Sequence, residues 1–286
     1  MEQPIIARKN VTNHILKSFN IRADKRLGQN FLTDEQIVAQ IVEAATLQQD
    51  DCVLEIGPGI GTLTQALAEK GAAVTAVELD KRLLPVLKET LAAYPNVNII
   101  NADILQLDIK EAVNNQSFKV VANLPYYITT PIVFHLLEQK LPMERLVVMV
   151  QKEVAERMVA KPGGKDYGAL SVAVQYYAEP KIAFKVPPTS FIPAPNVESA
   201  VIVCEVRKQP PVTLTDEKIF FRVVKAAFSV RRKMLNNALK NMGITAEEVK
   251  TWLEAAGIDG KRRGETLSLT EFAKLANVYV TLKVVS

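Results

Sequence analysis

The chain has 286 residues, 48% of them hydrophobic and 23% charged, enough to bury a sizeable core and to form one large domain with a smaller one. No apolar stretch is long enough to cross a bilayer, and no apolar run follows the first charged residues, so neither a membrane anchor nor a cleaved signal is expected and a cytoplasmic protein is. The net charge of +4 is uneven: residues 1–32 carry 6 basic against 2 acidic side chains and residues 207–286 carry 15 against 8, which leaves −7 for the stretch between, a pattern suited to gripping a polyanion at its edges. Cys52 and Cys204 fall in strand-like runs and read as reduced core thiols. His14 and His135 keep no metal-ligand spacing with each other or with a cysteine, so no metal site is expected.

In chain order, residues 52–55 read as a strand, followed by glycines and a helical pattern over 62–70. A strand over 73–78, an amphipathic run over 82–93 and strands over 97–101 and 119–123 come next. A helix opened by proline is predicted over 131–139 and a strand over 145–150. This alternation predicts an α/β fold with a mostly parallel sheet and helices on both faces. Residues 167–177 fit either period, and Ala169, Ala173 and Ala178 favour helix. Strands are predicted over 181–186 and 199–206, separated by a proline-rich loop. After Gln209, Pro210 and Pro211 the β-branched runs give way to helical spacing over 219–239 and 247–256. That shift predicts two domains, 1–206 with a basic N-terminal tail and a helical, basic 207–286.

Gly57, Gly59 and Gly61 leave the first strand and open a helix, where glycines permit a tight turn, close approach of a ligand and free amides at a helix N-terminus. The third glycine follows the second by two residues, not the three of the dinucleotide fingerprint, so the turn alone fits several adenine cofactors. Glu78, at the end of the second strand, is placed to accept from both ribose hydroxyls, the alternative being an exposed strand-end carboxylate. Asp103, after the third strand, fits an acceptor for an adenine amine between the apolar walls Ile104 and Leu79, the alternative being a solvated loop aspartate. The loop 161–165 lacks the spacing of a phosphate loop. Downstream stands Asn123-Leu124-Pro125-Tyr126, a short polar side chain, a stiffened backbone and an aromatic ring. These parts suit holding a planar exocyclic amine in the path of a methyl donor, which suggests methyl transfer from S-adenosylmethionine to an adenine amine.

With Leu27-Gly-Gln-Asn-Phe-Leu32, the 54–61 turn, Glu78, Asp103 and the tetrad, and then residues 167–171, 191–199, 228–233 and 263–267 in that order, the chain resembles the KsgA/RsmA-type rRNA adenine dimethyltransferases over nearly its whole length. The resemblance implies a Rossmann-like class I methyltransferase domain, its sheet ending in an antiparallel strand, plus a small C-terminal helical domain. It implies dimethylation of two adjacent adenosines in the 3′-terminal hairpin loop of 16S rRNA. Asn30, Leu32, Gly57, Glu78, Asp103 and Asn123 would contact S-adenosylmethionine, with Gly59 in the same turn. Asn123, Leu124 and Tyr126 would hold the target base on the backbone stiffened by Pro125, and Phe191 would close over it unless it only plugs a core edge. Gly264 stands where the family pattern has alanine. Arg231, Arg232 and Lys233, on a predicted helix, and Lys261, Arg262 and Arg263 are expected to contact RNA, against a solvated or intramolecular ion-pair role. The expected partner is 16S rRNA within an immature small subunit, bound by a monomer. A macrolide-resistance enzyme acting on large-subunit rRNA is the nearest alternative, disfavoured by Leu124, where those enzymes tend to have isoleucine. A non-catalytic assembly factor is another.

Overall fold

The computed structural model describes residues 3–230 and 232–284. Two compact units divide the chain, one of residues 1–155 and 179–206, the other of residues 156–178 and 207–286. The segment 156–178, expected in the first domain, thus belongs with the helical C-terminal part. Its helix carries aromatic side chains that find their partners there.

Among the described residues the first unit is built on strands β1 (Phe31–Leu32), β2 (Cys52–Ile56), β3 (Ala73–Glu78), β4 (Val97–Asn101), β5 (Phe118–Asn123), β6 (Met143–Gln151), β7 (Ala178–Val186), β8 (Phe191–Ile192) and β9 (Ser199–Val206). Seven of them form one sheet in the order β4-β3-β2-β5-β6-β9-β7. Strands β2 to β6 are parallel neighbours, and β9 returns antiparallel to β6 from Arg145↔Glu205 to Gln151↔Ser199. The expected late antiparallel strand is therefore present. Helices α1 (Lys9–Ser18), α2 (Glu35–Ala44), α3 (Thr62–Glu69), α4 (Leu84–Thr90), α5 (Ile109–Ala112) and α6 (Thr129–Glu138) accompany it, and α7 (Lys152–Val159) runs on from β6. The central strands are covered on both faces, which is why they read as continuous apolar runs: Val53, Leu54, Val120, Val121, Ala122 and Leu146 to Val150 have no exposed surface.

The chain leaves β2 toward β3 and β4 on one side and later returns to add β5 and β6 on the other. The order reverses between β2 and β5, and open α/β sheets take ligands in the crevice at the carboxyl ends of such strands. A separate two-stranded ladder, Phe31↔Ile192 and Leu32↔Phe191, brings the segment before α2 to the loop before β9. Asp34 caps α2 by accepting from the amides of Gln36 and Ile37, and its other oxygen accepts from Ser190 Oγ at 2.8 Å, so cap and ladder brace each other.

The second unit packs α8 (Ala169–Tyr177), α9 (Glu217–Phe228), α10 (Leu235–Ala238), α11 (Ala246–Ala256) and α12 (Leu269–Val284) around Tyr176, Phe220, Trp252, Leu253 and Phe272. Residues 167–177 are thus helical from Ala169, as expected. The long helix expected over 219–239 is not continuous. It stops at Phe228, where Ser229 Oγ donates to the Ala226 carbonyl at 2.7 Å and itself accepts from Asn241 Nδ2 at 2.6 Å. A hydroxyl that bonds the preceding turn in this way competes with the helix ladder. α11 has a reciprocal capping box between Thr245 and Glu248 and ends on Gly257 at φ 61°.

Candidate active site

The glycine turn after β2 and the tetrad after β5 meet at the reversal point of the sheet. Gly57, Gly59 and Gly61 all have positive φ, at 70°, 63° and 93°. A side chain at Gly59 would also crowd Phe31, whose ring lies 3.3 Å from where the Cβ would be. Glu78 is only 6% exposed, which rules out the exposed strand-end reading. One of its carboxylate oxygens accepts from the Gly59 amide at 3.2 Å and the other from the Asp80 amide at 2.7 Å, so it sits against the turn. Burial pushes its pKa up to about 6 against the opposing pull of those amides. Asp103 is half-buried at the end of β4, with one oxygen accepting from the Leu105 amide at 3.0 Å, and shares the cavity wall with Leu79 and Ile104.

The tetrad is tied to the N-terminal segment. Asn123 Nδ2 donates to the Asn30 carbonyl at 3.2 Å, and Asn30 Nδ2 donates to the Gly28 carbonyl at 3.0 Å. This leaves the Asn123 side-chain oxygen without a hydrogen-bond partner among the described residues. The Leu124 amide donates to Met149 O at 3.1 Å, which fixes the Asn123–Leu124 peptide and so the start of the unit that carries the Leu124 carbonyl. Tyr126 is held by a 2.5 Å hydrogen bond between its hydroxyl and Ser199 Oγ, and burial raises its pKa, so it stays a neutral phenol. Asn30, Leu32, Gly57, Gly59, Glu78, Asp103 and the whole tetrad line one cavity of about 1040 Å³, its open mouth included.

Among its other lining residues are three that sequence reasoning did not single out for the site. Gln29 donates to Asp80 Oδ2 at 2.8 Å behind Glu78. Tyr127 is 51% exposed at the mouth. Glu55 is 1% exposed with its Oε2 unpartnered, and burial, reinforced by the Glu78 carboxylate, pushes its pKa up to about 8. A glutamate inside an apolar strand just ahead of three glycines was the available signal for Glu55.

The sequence model of the ribosomal RNA adenine dimethylase family matches residues 5–280. The chain belongs to that family. Ribosomal RNA small subunit methyltransferase A of Alkaliphilus oremlandii is 52% identical over 93% of this chain and 95% of its own length. Its namesake in Geobacillus thermodenitrificans is 49% identical over 97% and 98%. Among solved structures, a dimethyladenosine transferase from Plasmodium falciparum superposes with a TM-score of 0.73 at 26% identity, covering 86% of this chain and 95% of that one. The 23S rRNA methyltransferase ErmE gives 0.66 at 30% identity, covering 87% and 99%. The Rossmann-like methyltransferase fold and the enzyme class expected from the sequence agree with these findings.

An adenine dimethylase of this fold implies S-adenosylmethionine as methyl donor, and the cavity's residues fit it. Glycines cradle one side, a buried carboxylate stands at the turn for a ribose, and Glu55 Oε2 is a buried oxygen with no partner of its own. Two expected roles in this dimethylase need correction. Phe191 does not line the cavity: it is 3% exposed, paired with Leu32 in the short ladder and packed with Val186 and Val201, so it plugs the core edge. Arg262 is half-buried in an ion pair with Glu271 and donates to the Thr266 carbonyl at 2.7 Å and to Thr266 Oγ1 at 3.1 Å, so its guanidinium is committed within the second unit. Arg232 and Lys233 are exposed on a turn after α9, not on a helix; Arg231 lies outside the described residues. Lys261 and Arg263 are exposed, the latter 3.9 Å from Glu265.

Proposed function

We propose that the chain dimethylates the N6 amines of two adjacent adenosines in the 3′-terminal hairpin loop of 16S rRNA, acting as a cytoplasmic monomer on an immature small subunit. The observation that carries this reading is the pair of acceptors beside the glycine turn, the unpartnered Asn123 side-chain oxygen and the Leu124 carbonyl. An adenine amine is a poor nucleophile because its lone pair is delocalised into the ring. Accepting both amine hydrogens at these two oxygens draws the nitrogen toward a tetrahedral shape and turns its lone pair out of the ring plane. S-adenosylmethionine supplies a methyl on a sulfonium that needs no further activation. Alignment is then the main task, and a backbone stiffened by Pro125 with an Asn123 side chain tied to Asn30 performs it. The Tyr126 ring, anchored by Ser199, replaces part of the stacking lost when the base leaves its helix. Among the described residues no strong base is hydrogen-bonded to the tetrad, consistent with proton loss after the methyl has arrived.

Glycine turn, Glu78 and Asp103 would hold the donor. The exposed cations Arg232, Lys233, Lys261 and Arg263 would neutralise rRNA phosphates. Identity near one half, across nearly the whole chain, to proteins named for the small subunit supports 16S over 23S rRNA. Mass spectrometry of rRNA after incubation with immature small-subunit particles and donor tests the reading. Two neighbouring dimethyladenosines in the hairpin loop are expected; modification of large-subunit rRNA instead, or none, overturns it.

A further inference from the structure

The two adjacent tyrosines of the tetrad loop part company. Tyr126 turns to Ser199 at the start of β9, whereas Tyr127 stands at the mouth of the cavity, half exposed, with no hydrogen-bond partner for its hydroxyl among the described residues. Its ring lies over the backbone of Gly28: a Cβ there would come within 3.3 Å of Tyr127 Cδ1, and Gly28 has φ 60°. Partial burial and then the carboxylates of Asp103 and Glu78 raise the pKa of the Tyr127 hydroxyl, which puts that hydroxyl within the field of both acids. A ring that is half exposed at the mouth of a cavity, beside the backbone of a glycine, offers surface to a ligand. A phenol without a hydrogen-bond partner among the described residues, at the mouth of a cavity that Asp103 and Glu78 also line, is placed to meet a ligand.

We propose that Tyr127 is a further binding residue of the donor site, its ring covering the adenosine end of the donor on the side lined by Asp103 and Glu78. With Gly28 beneath it, the ring closes the cavity between the N-terminal segment and the tetrad loop. A side chain at 28 would crowd the ring, which comes within 3.3 Å of where the Cβ would be. The two tyrosines thereby divide the loop, Tyr126 serving the base to be methylated and Tyr127 the donor.

The inference rests on S-adenosylmethionine being the donor, and the test separates the two. Calorimetric titration of the full chain without RNA compares S-adenosylhomocysteine with 5′-methylthioadenosine, which keeps the adenosine end but lacks the amino acid. Tyr127→Ala should weaken both about tenfold, and Tyr127→Phe should bind both within about twofold of the parent, because the ring makes the contact. An unchanged melting temperature of the free Tyr127→Ala protein checks that the half-exposed site has not altered the fold. Parent-like affinity of Tyr127→Ala for both ligands, with turnover lost at saturating donor, would overturn the proposal and assign the ring to RNA. Absence of S-adenosylhomocysteine binding by the parent chain would overturn the donor assignment itself.

Discussion

Asn123 is the side chain on which the chemistry turns, because its amide nitrogen is spent on Asn30 and its oxygen is left for a substrate. Asn123→Ala should lower turnover at saturating donor about a hundredfold, as for loss of one positioned polar group, with RNA affinity unchanged in a filter-binding assay. Glu55 makes a different kind of prediction. Between its ordinary value of 4.5 and about 8, the folded chain keeps a proton at Glu55 that the unfolded chain has released. The folded state therefore binds more protons in that window, and stability falls as pH rises through it, at up to about 1.4 kcal/mol per pH unit. Glu78, raised to about 6, adds in the same direction over the lower part of the range. Melting temperatures of the ligand-free protein from pH 5 to 8.5 should decline, and Glu55→Gln should flatten much of that decline. Both glutamates stand out in the sequence, but Glu78 is the stronger signal of a site residue. It ends a strand at a ribose-like distance from the glycines, whereas Glu55 sits mid-run where an apolar residue is the rule.

At the scale of elements, Gly264 explains its own departure from the alanine of the family pattern. A Cβ there would stand 2.8 Å from the carbonyl oxygen of Ala227, near the end of α9, and backbone cannot turn aside as a flexible side chain can. Gly264→Ala should cost about 1–3 kcal/mol in a urea titration, through displacement of α9 against the turn that carries Gly264. The parallel strands were legible because burial on both faces writes them as unbroken apolar runs bounded by turns. The ladder of β1 and β8 was not, since two residues per strand leave no period to detect. The resemblance puts Phe191 over the base with a core-edge plug as the alternative, and the ladder, with Phe191 buried beside it, favours the plug. The break after Phe228 was hidden in the same way, because Leu235 and Leu239 continue the apolar spacing of α9 past a stop made by Ser229 and Asn241.

For the molecule as a whole, charge and connectivity matter more than any single contact. Reversing Arg232 and Lys233 should weaken binding to an immature small-subunit particle and flatten its dependence on salt, since fewer counterions are released. Donor binding should survive, because every residue lining the donor cavity belongs to the first unit. Measuring the slope of log affinity against log salt for both proteins decides it. The commitment of Arg262 to Glu271 narrows the basic surface to fewer cations than the sequence offered.

The chain passes from the first unit to the second at residue 155, returns at 179 and leaves again at 206. In the order of synthesis, α8 emerges before the aromatic side chains it packs on. Tyr176 and Tyr177 must wait for Phe220 and Phe221, with which they form a cluster of rings 4.9–5.5 Å apart, and for Glu217, which accepts from both phenols. Meanwhile β9 comes after α8, so the sheet also stays unfinished while that helix has no cover. Neither unit closes until chain belonging to the other has been made, and the nascent protein carries an unpaired aromatic face for some forty residues of elongation.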